Sequence, residues 1–295
     1  MRSLLERVRD GEILVADGAM GTMLMKFGLK PGEPPESFNL TRPQVLEEIA
    51  RLYLEAGADI IQTNTFGASP LRLALSSLED KTEEINRNAV LAARKAAEDR
   101  VHVVASCGPS GKLLKPYGDT EPEEIYDSFE RQMKALISTG VDAVSIETMT
   151  DLTEAALAIR AAKATSASTP VMAAMTFDLT PKGFFTVMGT SIEEAARKLE
   201  EAGADIIGSN CGNGIENMVR IASQFKARSR LPIIIQSNAG IPQMEGEQPV
   251  WPETPEFMAE KAKDLVSVGV SIIGGCCGTT PQHVKAIRNM VDLQK

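Results

Sequence analysis

Two rhythms of apolar residues alternate along the chain. Short aliphatic runs begin near Ile13, Asp59, His102, Ala143, Pro170, Asp205, Pro232 and Ser271. Between and after them lie longer stretches in which apolar residues recur every three or four positions. The first rhythm predicts strands and the second amphipathic helices. Runs such as Ile233, Ile234 and Ile235 are apolar at consecutive positions, the pattern of parallel strands buried on both faces rather than of an antiparallel sheet with one wet side. Eight strand–helix alternations predict a TIM-type (β/α)8 barrel, an α/β fold forming a single domain over residues 1–295.

Internal repetition supports that reading. The heptapeptide EAGADII occurs at 55–61 and again at 201–207, each time closing a helical segment and opening an aliphatic run. Looser copies begin at Ser138 and Ser267, with glycine at the helix stop. Helix starts are expected at Thr41-Arg-Pro-Gln, Ser191-Ile-Glu-Glu, Thr254-Pro-Glu and Thr280-Pro-Gln, where a hydroxyl can accept from free amides and proline fits the first turn. The helix-to-strand turns are short. By contrast 25–43, 108–122, 178–189 and 240–255 are long, rich in Gly and Pro, and follow strands. In a barrel they share one face, so function is expected at the strand C-termini.

Composition narrows the classes. With 43% hydrophobic, 24% charged and only 4% aromatic residues, the core is aliphatic. The net charge of −9, with lysine and arginine scattered, disfavours a nucleic-acid or anionic-membrane partner. Glu6, Arg9, Asp10 and Glu12 interrupt what would be the apolar part of a signal peptide, and no apolar run reaches spanning length. A cytoplasmic location is therefore expected, in which four cysteines stay reduced.

The cysteines carry the chemistry. Cys211 ends the sixth expected strand in Gly-Ser-Asn-Cys-Gly-Asn-Gly, and Cys276 and Cys277 end the eighth in Gly-Gly-Cys-Cys-Gly-Thr-Thr. Only the seventh strand separates these ends, so three thiols can converge. Adjacent residues of a regular strand face opposite ways, and Gly274, Gly275 and Gly278 permit the bend that lets both point to one place. Three thiolates with no further protein ligand match a catalytic zinc with one open position. An incoming thiol there would be held as thiolate at neutral pH, ready to attack an electrophilic carbon. Buried small hydrophobes, or a vicinal disulfide, are the alternatives. Cys107 is read as a buried hydrophobe, and His102 and His283 as structural or solvent-facing. Thirteen methionines are read as gap-filling core residues.

Asp17-Gly-Ala-Met-Gly-Thr22, Gln62-Thr-Asn-Thr-Phe-Gly67, Asn210-Cys-Gly212 and Gly274-Gly-Cys-Cys-Gly-Thr279 together resemble the homocysteine S-methyltransferase family. The likeness is nearest to the N-terminal homocysteine-binding module of cobalamin-dependent methionine synthase, including Gly108-Pro-Ser-Gly-Lys-Leu-Leu114. It implies zinc on Cys211, Cys276 and Cys277, with L-homocysteine beside it. It also implies an amino-acid pocket in which Asp17 and Glu147 bind the ammonium, and in which the amides of Gly18 and Ala19 meet the carboxylate. Asn64 and Thr65 are expected to line the same pocket. Asn238, between the cysteine loops, is expected to fill the open zinc position, itself or through a water, until the thiol arrives.

The implied reaction is methylation of homocysteine to methionine, with methylcobalamin supplied in trans. No Asp-x-His-x-x-Gly pattern occurs in the chain, so the corrinoid would arrive on a corrinoid protein, on separate folate- or cobalamin-binding subunits, or as a free cofactor. Three readings compete with it: a sulfonium donor such as S-methylmethionine, methyl transfer between a corrinoid protein and another substrate, and a non-catalytic thiol module that binds metal. A betaine donor would need an aromatic cage, for which Trp251 and Tyr117 are a thin supply and Phe66 stands where betaine users typically carry Tyr.

Overall fold

A computed structural model describes residues 1–294 apart from Glu247. Eight parallel strands form the barrel: β1 Leu14–Val15, β2 Ile60–Gln62, β3 His102–Cys107, β4 Ala143–Met149, β5 Val171–Met175, β6 Ile206–Asn210, β7 Ile233–Ser237 and β8 Ile272–Gly275. They pair in the order β1-β8-β7-β6-β5-β4-β3-β2. The ring is completed between β1 and β2, where Asp59 N donates to Val15 O at 2.7 Å and Asp17 N to Ile60 O at 3.0 Å. Each strand is followed by a helix of the outer layer: α1 Pro43–Glu55, α2 Thr82–Ala97, α3 Pro122–Thr139, α4 Leu152–Thr165, α5 Ile192–Ala202, α6 Ile215–Arg228, α7 Pro255–Val268 and α8 Pro281–Asp292. No helix among the described residues is long and apolar enough to cross a membrane.

Period-two alternation sorts the strand residues into two cores. Inside the barrel, Leu14, Ile60, Val104, Ala143, Met172, Ile206, Ile234 and Ile272 form an aliphatic layer, and Leu4 and Val8 of the short helix Leu4–Arg9 pack onto it. Their neighbours, such as Ile61, Val103, Ile207 and Ile273, face the helices and join the larger core. Two residues beyond the aliphatic layer, the same inward face carries Gln62, Ser106 and Gln236. Four residues beyond Ala143 and Ile206 it carries Glu147 and Asn210. The barrel is thus dry at one end and polar at the other.

The repeated heptapeptide has a physical reason. Asp59 accepts from the amide of Val15 at 2.9 Å, and Asp205 from that of Val171 at 2.8 Å. In the looser copy, Asp142 accepts from Val103 at 2.7 Å. Each aspartate therefore satisfies an amide at the start of the preceding strand, and each also meets a cation. Asp59 pairs with Arg7 and Arg288, Asp142 with Arg94, and Asp205 with Lys163.

Some expectations need correction. The segments 178–189 and 240–255, expected as long connections after strands, each contain an antiparallel hairpin, Asp178–Thr180 with Gly183–Phe185, and Gln243–Glu245 with Gln248–Val250. Within 25–43 the chain forms the helix Ser37–Thr41. Ser191 and Thr254 cap α5 and α7, and Thr280 and His283 form a reciprocal box at the start of α8. Thr41 caps nothing, because its hydroxyl turns back to Ser37 O at 2.9 Å and Arg42 occupies the position before α1.

Candidate metal centre and substrate cavity

The backbone at the polar end brings the three thiols together. Cys211 follows β6 with a left-handed φ of 58°, held by its amide to Gln236 O at 3.0 Å. Cys276 leaves β8 with its amide on Ser237 O at 2.7 Å. Its carbonyl then accepts from both the amide and the hydroxyl of Thr279, at 3.1 and 2.7 Å. That tight turn, with Gly278 at φ +81°, points Cys276 and Cys277 to the same side. The three Sγ atoms lie within 4.8 Å of one another, with Cys211 and Cys277 3.9 Å apart.

Hydrogen bonds from Cys276 and then Cys277 favour the Cys211 thiolate and hold its pKa well below the usual thiol range. The same bonds, with burial, push Cys276 and Cys277 up. Clustered thiols oppose one another's ionisation in this way, and a divalent cation would favour ionising all three. The donor set therefore fits zinc: three soft ligands, half-buried, with one side facing a cavity.

The cavity has a volume of about 380 Å³, and the sulfurs share its wall with Asp17, Gly18, Gln62, Asn64, Glu147 and Gln236. Asp17 is buried; its Oδ2 accepts from the amide of Gln62 at 2.7 Å, and its Oδ1 has no partner among the described residues. Burial, opposed by the Gln62 amide and reinforced by the Glu147 charge, raises Asp17 to about 8. Glu147 accepts from the Ser106 hydroxyl and from Gln62 Nε2. Burial outweighs both bonds and raises it to about 7. Two carboxyl groups of high proton affinity thus face one cavity with no cation paired to either among the described residues, the electrostatic complement of an ammonium group once ionised.

The other expected residues lie as follows. Asn64 is on the wall, its amide nitrogen donating to Pro35 O and Asn39 Oδ1, both at 2.8 Å. Thr65 is not on the wall: it is fully buried behind it, with its hydroxyl on Ser106 O at 2.6 Å. Ala19 lines the cavity, but its amide already donates to Thr279 Oγ1 at 3.1 Å, so it cannot also serve a carboxylate as expected. Asn238 is buried against Cys211, whose thiolate it stabilises by a hydrogen bond, and its Oδ1 has no partner among the described residues. Cys107 is buried, with its thiol on Gln132. His283 is fixed between Thr280 and Glu253 O, and His102 is buried at the other end of the barrel.

Sequence reasoning missed Gln62, Ser106, Thr148, Asn210 and Gln236, which also line the wall. Their signal was present, since counting in twos from the aliphatic layer puts all but Thr148 on the inward face. Glu36, buried with Oε1 on the amide of Gly67 at 2.6 Å, comes from a turn and Arg72 from the short helix Pro70–Leu73, outside the barrel strands, and neither had such a signal.

Comparison with known proteins decides the family. The family model for homocysteine S-methyltransferase matches residues 14–291, from the first residue of β1 into the last turn of α8. The chain belongs to the homocysteine S-methyltransferase family. Methionine synthase of Mycobacterium leprae (strain TN) is 32% identical over 292 residues, which cover 93% of this chain. That of Mycobacterium tuberculosis (strain ATCC 25618 / H37Rv) is equally similar. The chain spans about a quarter of the length of these relatives, 24% in each case.

Among solved structures, the metallated form of the homocysteine methyltransferase MmuM from Escherichia coli superposes with a TM-score of 0.78 at 22% identity, covering 96% of this chain and 98% of that one. Its oxidized form gives 0.80 at 23% identity, covering 98% and 99%. At that identity the likeness establishes the shared barrel. The homocysteine S-methyltransferase assignment rests on the family match and agrees with a site that joins three thiols to a cavity lined by two carboxyl groups.

Proposed function

We propose that this chain binds zinc through Cys211, Cys276 and Cys277 and methylates L-homocysteine to methionine. The observation that carries the reading is that three convergent thiols and two cation-free carboxylates, Asp17 and Glu147, share one cavity wall. A metal site and an ammonium site in one cavity describe a ligand that carries a thiol and an amine. Zinc, when bound, supplies a positive charge that keeps an incoming thiol ionised at neutral pH.

The protein's own residues do the rest. Asp17 and Glu147 take the ammonium and lose their bound protons in doing so. The amide of Gly18, on the cavity wall, is available to the substrate carboxylate. Asn238, hydrogen-bonded to Cys211 and with Oδ1 unpartnered among the described residues, would offer a bound zinc an oxygen donor in the absence of substrate. With amine and sulfur both fixed, the sulfur is aimed at the methyl carbon; the S–C bond forms as the methyl–donor bond breaks and its electron pair leaves with the donor.

The proposed donor is methylcobalamin carried outside this stretch of chain, the donor implied by the motif resemblance to the homocysteine-binding module. Phe66 is the only aromatic side chain among the described wall residues, which disfavours a donor that needs an aromatic cage. Location in the cytoplasm belongs to the same proposal. The test is methionine formation by zinc-loaded protein from L-homocysteine with methylcobalamin and with S-methylmethionine in parallel. Turnover with methylcobalamin supports the proposal, turnover only with the sulfonium replaces the donor, and turnover with neither overturns the catalytic reading.

A further inference from the structure

Thr148 has a φ of +58°. A β-branched residue in the left-handed region is strained, and its neighbours must hold it there. Asn210 does so with both ends of its amide: Oδ1 accepts from Thr148 N at 2.7 Å, and Nδ2 donates to Thr148 Oγ1 at 2.8 Å. The side chain reaches from the end of β6 past β5 to β4. Its own backbone is fixed, because Asn210 O accepts from Thr176 Oγ1 at 2.9 Å.

The strained residue changes the register of β4. Pairing with β5 runs regularly to Ile146 and Ala173, then resumes at Met149 and Met175, so β4 carries one extra residue. In a regular strand Glu147 and Thr148 would face opposite sides, yet both line the cavity. Asn210 also directly precedes Cys211, itself left-handed at +58°. One side chain therefore links the carboxylate meant for the amine to the strand end that bears the first thiol.

We infer that Asn210 is a positioning residue that fixes Glu147 relative to Cys211 by holding Thr148 left-handed, and so sets the separation of amine and thiol that the cavity accepts. The inference rests on the homocysteine reading. It makes a specific claim about strain: glycine at 148 adopts positive φ unaided and should do without Asn210.

The experiment compares full-length wild type, Asn210→Ala, Thr148→Gly and the double variant, all zinc-loaded, by calorimetric titration with L-homocysteine and by thermal unfolding. Asn210→Ala should keep its zinc and bind L-homocysteine about tenfold more weakly or worse, the loss expected when about a tenth of the molecules or fewer hold Glu147 in the binding position. The double variant should recover most of that loss. Wild-type-like binding by Asn210→Ala, or a double variant no tighter than Asn210→Ala, overturns the inference. Thermal unfolding needs no substrate: Thr148→Gly should be more favourable in the Asn210→Ala background than in wild type, and strict additivity contradicts the claim. A wild type that ignores L-homocysteine but shows the unfolding coupling overturns the substrate reading while leaving the Asn210–Thr148 device in place.

Discussion

The indole of Trp251 fills the space that a side chain at Gly278 would need. A Cβ there would lie 2.1 Å from Trp251 Cγ, and Gly278 has φ +81° besides. Trp251 belongs to the loop after β7 and Gly278 to the turn after Cys277, so the loop between the two cysteine segments packs directly on one of them. Gly278→Ala should displace the turn and lower zinc affinity by about 10- to 100-fold, the range found when the supports of metal ligands are disturbed. Competition with a chromogenic chelator measures it. Adding Trp251→Ala should restore part of the loss and no more, because the left-handed backbone remains; full restoration would show that the backbone conformation is immaterial.

Asp17 should make the metal-free, substrate-free protein less stable as pH rises. Its folded pKa of about 8 lies above its ordinary value of 3.8 because burial disfavours the charge. Between those values the folded state holds a proton that the unfolded state has lost. This contribution to stability is therefore complete below about pH 4 and declines as pH climbs toward 8. Asp17→Asn should flatten the fall of Tm between pH 5 and 8 and raise Tm at pH 8 by at least roughly 3 °C. An unchanged pH slope would show that Asp17 is not buried as an acid.

The same carboxyls should release protons when the amine binds. Asp17 and Glu147, raised to about 8 and about 7, hold protons near neutral pH in the empty cavity and must give them up to face an ammonium. Titration of L-homocysteine at pH 6.5 in buffers of different ionisation heat should report net proton release, smaller in Asp17→Asn and in Glu147→Gln. Each variant should bind substrate at least about tenfold more weakly while retaining zinc. Equal proton release in all three proteins would assign it wholly to the thiol.

Stability and function should separate at opposite ends of the barrel. Asp59 receives Arg7 and Arg288, each at 2.8 Å, and the Val15 amide at 2.9 Å, all part-buried at the end remote from the thiols. Asp59→Ala leaves two guanidinium groups and an amide short of a partner, at a cost of about 2–4 kcal/mol. Urea denaturation should show that loss with zinc content and substrate affinity unchanged; a change in either would mean that strand ends on the two faces are coupled.

Much of the barrel was legible because its determinants are local. Ile233 to Ile235 read as a doubly buried strand, and Gly57, Gly140, Gly203 and Gly269 marked the turns from α1, α3, α5 and α7 into the next strands; the strand starts fall within one residue of their expected places. The cysteine cluster was legible once the barrel order put the ends of β6 and β8 on either side of β7. What stayed hidden depends on contacts between distant segments. Nothing near Asn210 announces that it grips Thr148, and the meaning of Asp59 in EAGADII appears only when Val15 is beside it. Thr65 reads like its neighbour Asn64, but beyond the end of β2 the chain turns it behind the wall onto Ser106 O, and Ala19 loses its amide to a threonine 260 residues away.

The most direct test of the account is zinc-edge X-ray absorption on the zinc-loaded protein, with and without L-homocysteine. The account predicts three sulfur neighbours in the free protein, from Cys211, Cys276 and Cys277, and a fourth on adding the substrate. A shell that stays at three sulfurs when L-homocysteine is saturating, or a protein that takes up no zinc, would contradict it.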